Sequence, residues 1–340
     1  MKKKVHLFLR KPIFGKHFSV ENFYLDLFKN HKSENFDIII KICPLESKGI
    51  INRIYLIFWA FFNQGDINHI TGDINFISLL LNKEKTINTI LDTYSLKRLG
   101  GLKKTVFQVF WLKIPINKSK LIIAISKKTK AEIIKFVKLK SMLKVIDLSI
   151  NSKFKTSISK KKNNKPEILI VGTSENKNIE KIKNSLKNLN INLSIIGNLS
   201  KKQKYLLTKN NINFKNYVGI SLKSLINKYK KCDILVFTSV YEGFGLPILE
   251  AQKVGRPVIT SNIQPMKYVA GKGALLVNPK KINNIRTAVK ILINNYKLRR
   301  NLINKGFKNV ERFKKSEIIS SYEKYYNSLL KNDEKNSNYN

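Results

Sequence analysis

Cysteine, histidine and acid are scarce in this 340-residue chain, and each scarcity excludes a class of protein. Two cysteines, Cys43 and Cys232, cannot staple a chain of this length and form no zinc cluster, which fits a reducing compartment. Four histidines, none in a His-x3-His spacing, leave little for a histidine-rich metal site, so no metal is expected. The longest apolar run, Ile54 to Phe62, is half of what spans a bilayer. Three lysines open the chain, but only Val5 to Leu9 is apolar before Arg10-Lys11-Pro12, which is too short for a signal peptide. The expectation is a cytoplasmic protein, free or peripheral on the inner face of the cell membrane. Apolar residues make up 43% of the chain, which suits a folded protein, and the length suits two domains.

The acid deficit leaves 65 Lys and Arg against 22 Asp and Glu, a formal net charge of +43. Both halves share the excess, so no basic tail explains it. A coding bias toward Lys, Asn and Ile accounts for lysine in place of arginine, but less readily for so few acids. Residues 96–165 hold 20 basic residues with only Glu132 and Asp147 as acids. That density attracts anionic lipid head groups, nucleic acid or phosphorylated substrates. No RNA-binding signature or basic helix with interleaved aromatics accompanies it, so nucleic acid is not expected. Lys127, Lys128, Lys130, Lys135 and Lys138 cluster on a predicted helix, with Lys103 and Lys104 beside them. They are the expected contact with an anionic membrane surface.

Short apolar runs alternate with helical stretches. Val5–Leu9, Asp37–Ile42, Ile67–Ile70, Thr86–Leu91 and Leu121–Ile125 read as strands, and Ile51–Asn63 as a buried helix. Asn151 to Lys165 is polar and lysine-rich and reads as a linker. Strands then resume at Glu167–Val171, Asn192–Ile196, Phe214–Val218, Asp233–Thr238, Pro257–Thr260 and Ala274–Val277. Continuous apolar strands alternating with helices imply parallel sheets covered on both faces. Two such series predict an α/β chain of two Rossmann-like, doubly wound domains facing each other across a cleft. The expected bounds are 1–155 and 166–315. A helix over about 316–331 is expected to pack back on the first domain, and 332–340 to form a disordered tail.

The most informative stretch runs from Thr238 to Glu250. A strand ends at Thr238, and a turn carries Gly243 and Gly245. Pro247 stands where a first helical residue goes, so the helix directs free N–H groups and partial positive charge back into the turn. Glu242 and Glu250, with seven residues between them, are placed to accept hydrogen bonds from ligand hydroxyls while the backbone holds phosphate. A solvated strand–turn–helix with no ligand is the plain alternative for such a segment.

The stretch resembles the Glu-x7-Glu motif of the family 4 glycosyltransferases, and the likeness continues through Ala251-Gln-Lys-Val-Gly-Arg-Pro-Val-Ile259. Ile168-Leu-Ile-Val-Gly-Thr173 with Lys177-Asn178 is similar to the family's first C-terminal strand and phosphate-binding lysine. Tyr217-Val-Gly219 is similar to the strand beside the nucleotide base. Asn68–Asp73, Thr86–Asp92 and Leu121–Ser126 resemble its N-terminal framework. The resemblance implies a GT-B fold and a retaining, metal-independent hexosyltransferase that needs no cofactor. Its donor would be a nucleotide-sugar, and its acceptor a lipid-linked or surface glycan in polysaccharide or lipopolysaccharide assembly. Glu250 would bind the ribose. Glu242 with Gly243, Phe244, Gly245 and Leu246 would hold the sugar and phosphate end, Lys177 would neutralise the leaving diphosphate, and Gly172, Thr173, Tyr217 and Val218 would complete the donor site.

Two departures from the family pattern stand out. Thr173 occupies the neighbourhood of a usual arginine, for which Arg256 or Lys272 would substitute. Thr89-Ile-Leu91-Asp92 has leucine where many relatives carry histidine, which leaves Asp92 in place and makes His69 the replacement candidate. These departures also motivate an alternative, a catalytically impaired GT-B protein acting as a binding or scaffold subunit.

Overall fold

Runs such as Leu121–Ala124 and Ile234–Phe237 are buried at every residue, as strands sandwiched between helical layers must be. The computed structural model describes residues 1–12, 19–157, 165–210 and 212–337. Its chain divides into two units, one built from the described residues before Ile150 together with the segment from Lys315, the other from Ile150–Lys314.

Among the described residues of the first unit, a parallel sheet is formed by β1 (Lys3–Leu9), β2 (Phe36–Ile42), β3 (Ile67–Ile70), β4 (Thr86–Ile90), β5 (Leu121–Ala124) and β6 (Met142–Val145). Its order is β2-β1-β3-β4-β5-β6. Register places Leu7 against His69 and His69 against Ile87. The second unit contains β7 (Glu167–Val171), β8 (Asn192–Ile196), β9 (Phe214–Tyr217), β10 (Ile234–Phe237), β11 (Val258–Ser261) and β12 (Ala274–Val277). They too are parallel, in the order β12-β11-β10-β7-β8-β9. Each sheet begins near its middle, grows one way, then crosses over and grows the other way. The crossover leaves a crevice at the carboxyl ends of β1 and β3 in one unit and of β7 and β10 in the other, where doubly wound sheets take their ligands.

Several elements depart from the sequence reading. Strand β6 was not anticipated, because its Met-Leu-Lys-Val pattern is short and its residues are only partly covered. The expected linker is in part structured: Phe154 is buried, its ring 5.6 Å edge-on from Tyr229, and the Ser157 amide donates to the Val254 carbonyl. The second unit therefore begins at Ile150 rather than at 166, while residues 158–164 lie outside the described residues. Helix Ile50–Phe62, expected to be core, buries only Leu56 and Ala60 fully. The last helix runs over Lys315–Ser337, well past the expected start of a tail at 332, and residues 338–340 lie outside the described residues. Its Tyr322 and Tyr326 are buried inside the first unit.

Candidate active site

Lys177 owes its position to the loop after β7. That strand ends at Val171 and is followed by Gly172 at φ +91°, where a Cβ would stand 2.7 Å from Lys177 Cε. Only glycine lets the lysine stem lie across the end of the strand. The lysine closes a single turn, Glu175–Lys177, between two asparagines that tie the loop to its neighbour. Asn176 Nδ2 donates to the Tyr241 carbonyl at 2.8 Å, and Asn178 Nδ2 donates to the carbonyls of Thr238 at 3.0 Å and Pro279 at 2.8 Å. The Val240 amide donates back to the Asn176 carbonyl. Asn178 adopts φ +63°, a left-handed conformation that asparagine accepts more readily than most residues. The loops after β7 and β10 are thereby joined at the switch point.

The join aims Lys177 at Glu242, with Nζ and Oε1 2.6 Å apart. The ammonium also lies 5.0 Å from the centroid of the Phe237 ring. Side-chain exposures of 19% and 12% leave this pair covered but reachable by water, so a ligand can compete for either partner. Beyond it, Gly245 at φ +119° opens helix Leu246–Val254 with no side-chain cap on its first amides. Pro247 has no N–H and the Ile248 amide donates to the Gly245 carbonyl at 3.0 Å, so the turn is closed by backbone rather than by a side chain, at the positive end of the helix dipole. Phe244 is buried edge-on against Phe313, which holds the turn from below.

Glu250 lies on the same helix, and the Tyr229 hydroxyl donates to its Oε2 at 2.6 Å. Burial pushes the Glu250 carboxyl up to about 7, a shift opposed by the tyrosine hydrogen bond. Burial and the neighbouring carboxylate likewise raise the Tyr229 phenol well above its ordinary range. Glu250 thus changes charge near neutral pH, and a ligand offering hydroxyl donors would draw it to the carboxylate form.

Other expected residues are dispersed. Thr173 turns its hydroxyl to the Asn198 carbonyl, and its own carbonyl accepts from Gln203 Nε2. Tyr217 and Val218 lie at the end of β9, two strands from β7, with Lys228 Nζ 3.4 Å from the Tyr217 ring centroid. Arg256 does not replace the missing arginine. It is buried, and the two terminal nitrogens of its guanidinium donate to the carbonyls of Ser157, Gly255 and Lys230, which ties them to backbone, while its Nε is buried without a partner. Lys272 is exposed in the turn before β12.

His69 is also corrected, because it is core. It is 0% exposed, Nδ1 is 2.7 Å from the Tyr326 hydroxyl and Nε2 is 2.8 Å from Thr89 Oγ1. Burial lowers its pKa to about 3, which keeps the ring neutral. Asp92 stays near the surface at the end of β4 and accepts from the Tyr94 amide at 2.8 Å. Leu91 is half-buried.

Sequence reasoning quoted Asn178 and Tyr229 only within the family likeness, without a role of their own, and missed Asn176 and an ion-paired group at the first unit's switch point. There Arg10, following β1, pairs with buried Glu21 and, at 3.2 Å, with Asp73. The signal for Asn176 and Asn178 was their place on either side of the lysine; Arg10 had none. A cavity of about 510 Å³ follows the amino ends of β7, β8 and β9, lined by Glu167, Asn192 and Asn213 among others. That end is opposite to the ligand-binding edge of a parallel sheet, so the cavity is not assigned to the site. Among the described residues, no group of three or more His, Cys, Asp or Glu side chains is placed to hold a metal ion.

Comparison with known proteins is consistent with this geometry. The chain is 30% identical over 227 residues to the O-antigen chain mannosyltransferase RfbU of Salmonella typhimurium, covering 63% of this chain and 62% of that protein. It spans roughly half the length of the curated relatives it matches. Among solved structures, sucrose-phosphate synthase from Thermosynechococcus elongatus superposes with a TM-score of 0.81 at 15% identity, over 97% of this chain and 99% of that one. Anabaena HepE in complex with UDP and glucose superposes with a TM-score of 0.76 at 14% identity, over 96% and 100%. The chain thus has the GT-B fold of these proteins, and residues 151–309, which contain Lys177, Glu242 and Glu250, match the family described as Glycosyl transferases group 1.

Proposed function

We propose that this chain is a retaining hexosyltransferase that takes a sugar from a nucleotide-sugar bound at the β7–β10 switch point. The acceptor we propose is a lipid-linked or surface glycan, in polysaccharide or lipopolysaccharide assembly. One observation carries the reading: Lys177 and Glu242 meet at 2.6 Å beside an uncapped helix N-terminus, within the segment that matches the group 1 family. The printed names of the relatives, an O-antigen chain mannosyltransferase and a protein crystallised with UDP and glucose, support donor and acceptor class.

When the bond between the sugar's anomeric carbon and the diphosphate breaks, negative charge grows on the departing phosphate oxygen. On this reading Lys177 and the amides of Gly243 to Leu246 would face that charge, and fixed dipoles and cations of this kind can stabilise such a transition state without a metal. Donor binding would exchange the Lys177–Glu242 pair for Lys177–phosphate and Glu242–sugar hydroxyl contacts. Glu250, held by Tyr229, would accept from the ribose hydroxyls. In a front-face mechanism, the proton of the attacking acceptor hydroxyl passes to a phosphate oxygen of the leaving group. The new glycosidic bond then forms on the face from which the diphosphate departs. Asp92 is the acceptor-side candidate, and the protein would work peripherally at the inner face of the cell membrane.

A second reading, a GT-B binding subunit without turnover, is favoured by Leu91 and by the engagement of Arg256. Thermal-shift titration with UDP-, GDP- and ADP-sugars, followed by transfer assays with and without chelator, separates the readings, since a ligand of the native state raises its melting temperature. The expected result is stabilisation by one nucleotide class and turnover that persists in excess chelator. Stabilisation without turnover on any glycolipid acceptor would favour the binding subunit. No stabilisation by any nucleotide-sugar would overturn both readings.

A further inference from the structure

The helix Ile50–Phe62 has its apolar surface on the outside. Leu56 and Ala60 face the interior beside Phe8, Ile70 and Ile77, and Ile57 and Trp59 pack partly buried against the same cluster. On the outward side, Ile51, Ile54, Tyr55, Phe58, Phe61 and Phe62 are exposed, from 43% at Phe61 to 82% at Ile51. An adjoining helical segment extends the surface. The Arg53 guanidinium lies 4.4 Å from the Trp111 ring centroid, and the segment carrying Trp111 exposes Leu102 (79%), Val106 and Phe110. Exposed apolar area of this extent on two neighbouring elements marks an interaction surface.

Charge selects the occupant. No Asp or Glu occurs from Ser47 to Gly65 or from Thr93 to Ala131, whereas Lys48, Arg53, Lys103, Lys104 and Lys113 fall within those stretches. A second copy of a chain carrying +43 would be repelled by this basic rim, and an anionic surface attracted to it. The outward side chains are aliphatic and aromatic, with Tyr55 as their one hydroxyl, so little on them would specify a protein partner's polar groups. A 13-residue helix, ~20 Å long, is too short to cross a bilayer and of a length to lie within its interface. Among the described residues, no helix is long and apolar enough to cross. The lysines of helix Lys127–Phe136 are a weaker candidate, since the helix presents no comparable exposed apolar face and its Lys128 pairs with Glu132.

We propose that helix Ile50–Phe62 embeds its outward face in the headgroup–acyl boundary of an anionic bilayer, with Leu102, Val106 and Phe110 beside it and Lys103 and Lys104 on the lipid phosphates. The proposal gives the membrane side of the functional reading a defined surface, and it rests on that reading only for its biological setting. Flotation with vesicles of phosphatidylcholine, with and without phosphatidylglycerol, tests it. A variant carrying Ile51→Ser, Ile54→Ser, Phe58→Ser and Phe62→Ser changes exposed positions only, and its melting curve checks the fold. Wild type is expected to float with anionic vesicles, to bind neutral ones at least tenfold less, and to retain part of its binding in high salt. The serine variant is expected to lose at least tenfold, while glutamine at Lys127, Lys128, Lys130, Lys135 and Lys138 costs less than threefold. Wild-type binding by the serine variant would overturn the proposal. So would equal binding to neutral vesicles, or a lipid-free dimer that the serine variant turns into a monomer. Nucleotide-sugar thermal shifts on the same proteins keep the two ideas apart: loss of flotation with donor shifts intact bears on this surface alone, and flotation without donor shifts bears on the transferase reading alone.

Discussion

His69 and Lys177 occupy comparable places, near the carboxyl ends of strands beside the switch points of two similar sheets, yet only one is equipped for a ligand. His69 is closed in by Tyr24, Tyr322 and Tyr326, and both its ring nitrogens are bonded. Lys177 is paired with Glu242 at a point water reaches. A polar side chain at a strand end is accessible to a ligand only where the neighbouring loops leave it open. In the first unit the last helix closes that position, and in the second unit Asn176 and Asn178 hold two loops together around an open one.

The largest effect expected from breaking the contrast lies on the closed side. His69→Ala leaves the Thr89 and Tyr326 hydroxyls without their buried partner, and should cost about 3 kcal/mol of stability with donor binding unchanged. Urea unfolding and donor titration together check it. A pH series sharpens the point. The folded-state value of about 3 lies below the 6.5 of a free imidazole, so the stability contributed by the neutral ring is present above pH 6.5 and is lost as pH falls toward 3. His69→Asn should flatten that part of the stability curve.

Next in size is the loop join. Asn178→Ala removes two hydrogen bonds and forces alanine into a left-handed conformation, for about 2 kcal/mol, and Asn178→Gly should recover part of the loss. Donor affinity should fall along with stability here, unlike at His69, and calorimetry on both variants separates the two.

A smaller effect concerns Glu250. Its folded-state value of about 7 exceeds the 4.5 of a free carboxyl, so the stability it contributes is full below pH 4.5 and is lost as pH rises through about 7. Glu250→Gln should therefore raise the melting temperature at pH 8 more than at pH 5, while weakening donor binding at both. Donor affinity of the wild type should decline as pH falls below about 7. Tyr229→Phe removes the hydrogen bond that opposes the shift, and should move this midpoint upward by about one pH unit. The smallest effect is that of Leu91→His, expected to change stability by about 0.5 kcal/mol or less at a half-buried position.

The same contrast explains what the sequence made legible. Strand runs such as Ile234–Phe237 and the Gly243–Pro247 turn were readable because burial on both faces and helix entry leave local marks in composition. Lys177 and Glu242 could be named from their motifs. Their 2.6 Å contact, across 65 residues of chain, could not. His69 misled for the converse reason: the group that occupies its Nδ1 lies 257 residues away, and no local pattern announces it. Helix Ile50–Phe62 misled because an apolar run reads the same whether it faces a core or the outside, and only tertiary packing decides. Arg256 resembled a free cation until its carbonyl partners were seen.

The most direct test of the central claim, that the open pair at the β7–β10 switch point is the donor site, is calorimetric titration of the stabilising nucleotide-sugar into wild type, Lys177→Ala and Glu250→Ala. Losing a charge-assisted hydrogen bond of about 1.5–3 kcal/mol should weaken binding roughly ten- to a hundredfold in each variant, with melting curves showing that the fold survives. Binding by both variants at wild-type affinity would contradict the account.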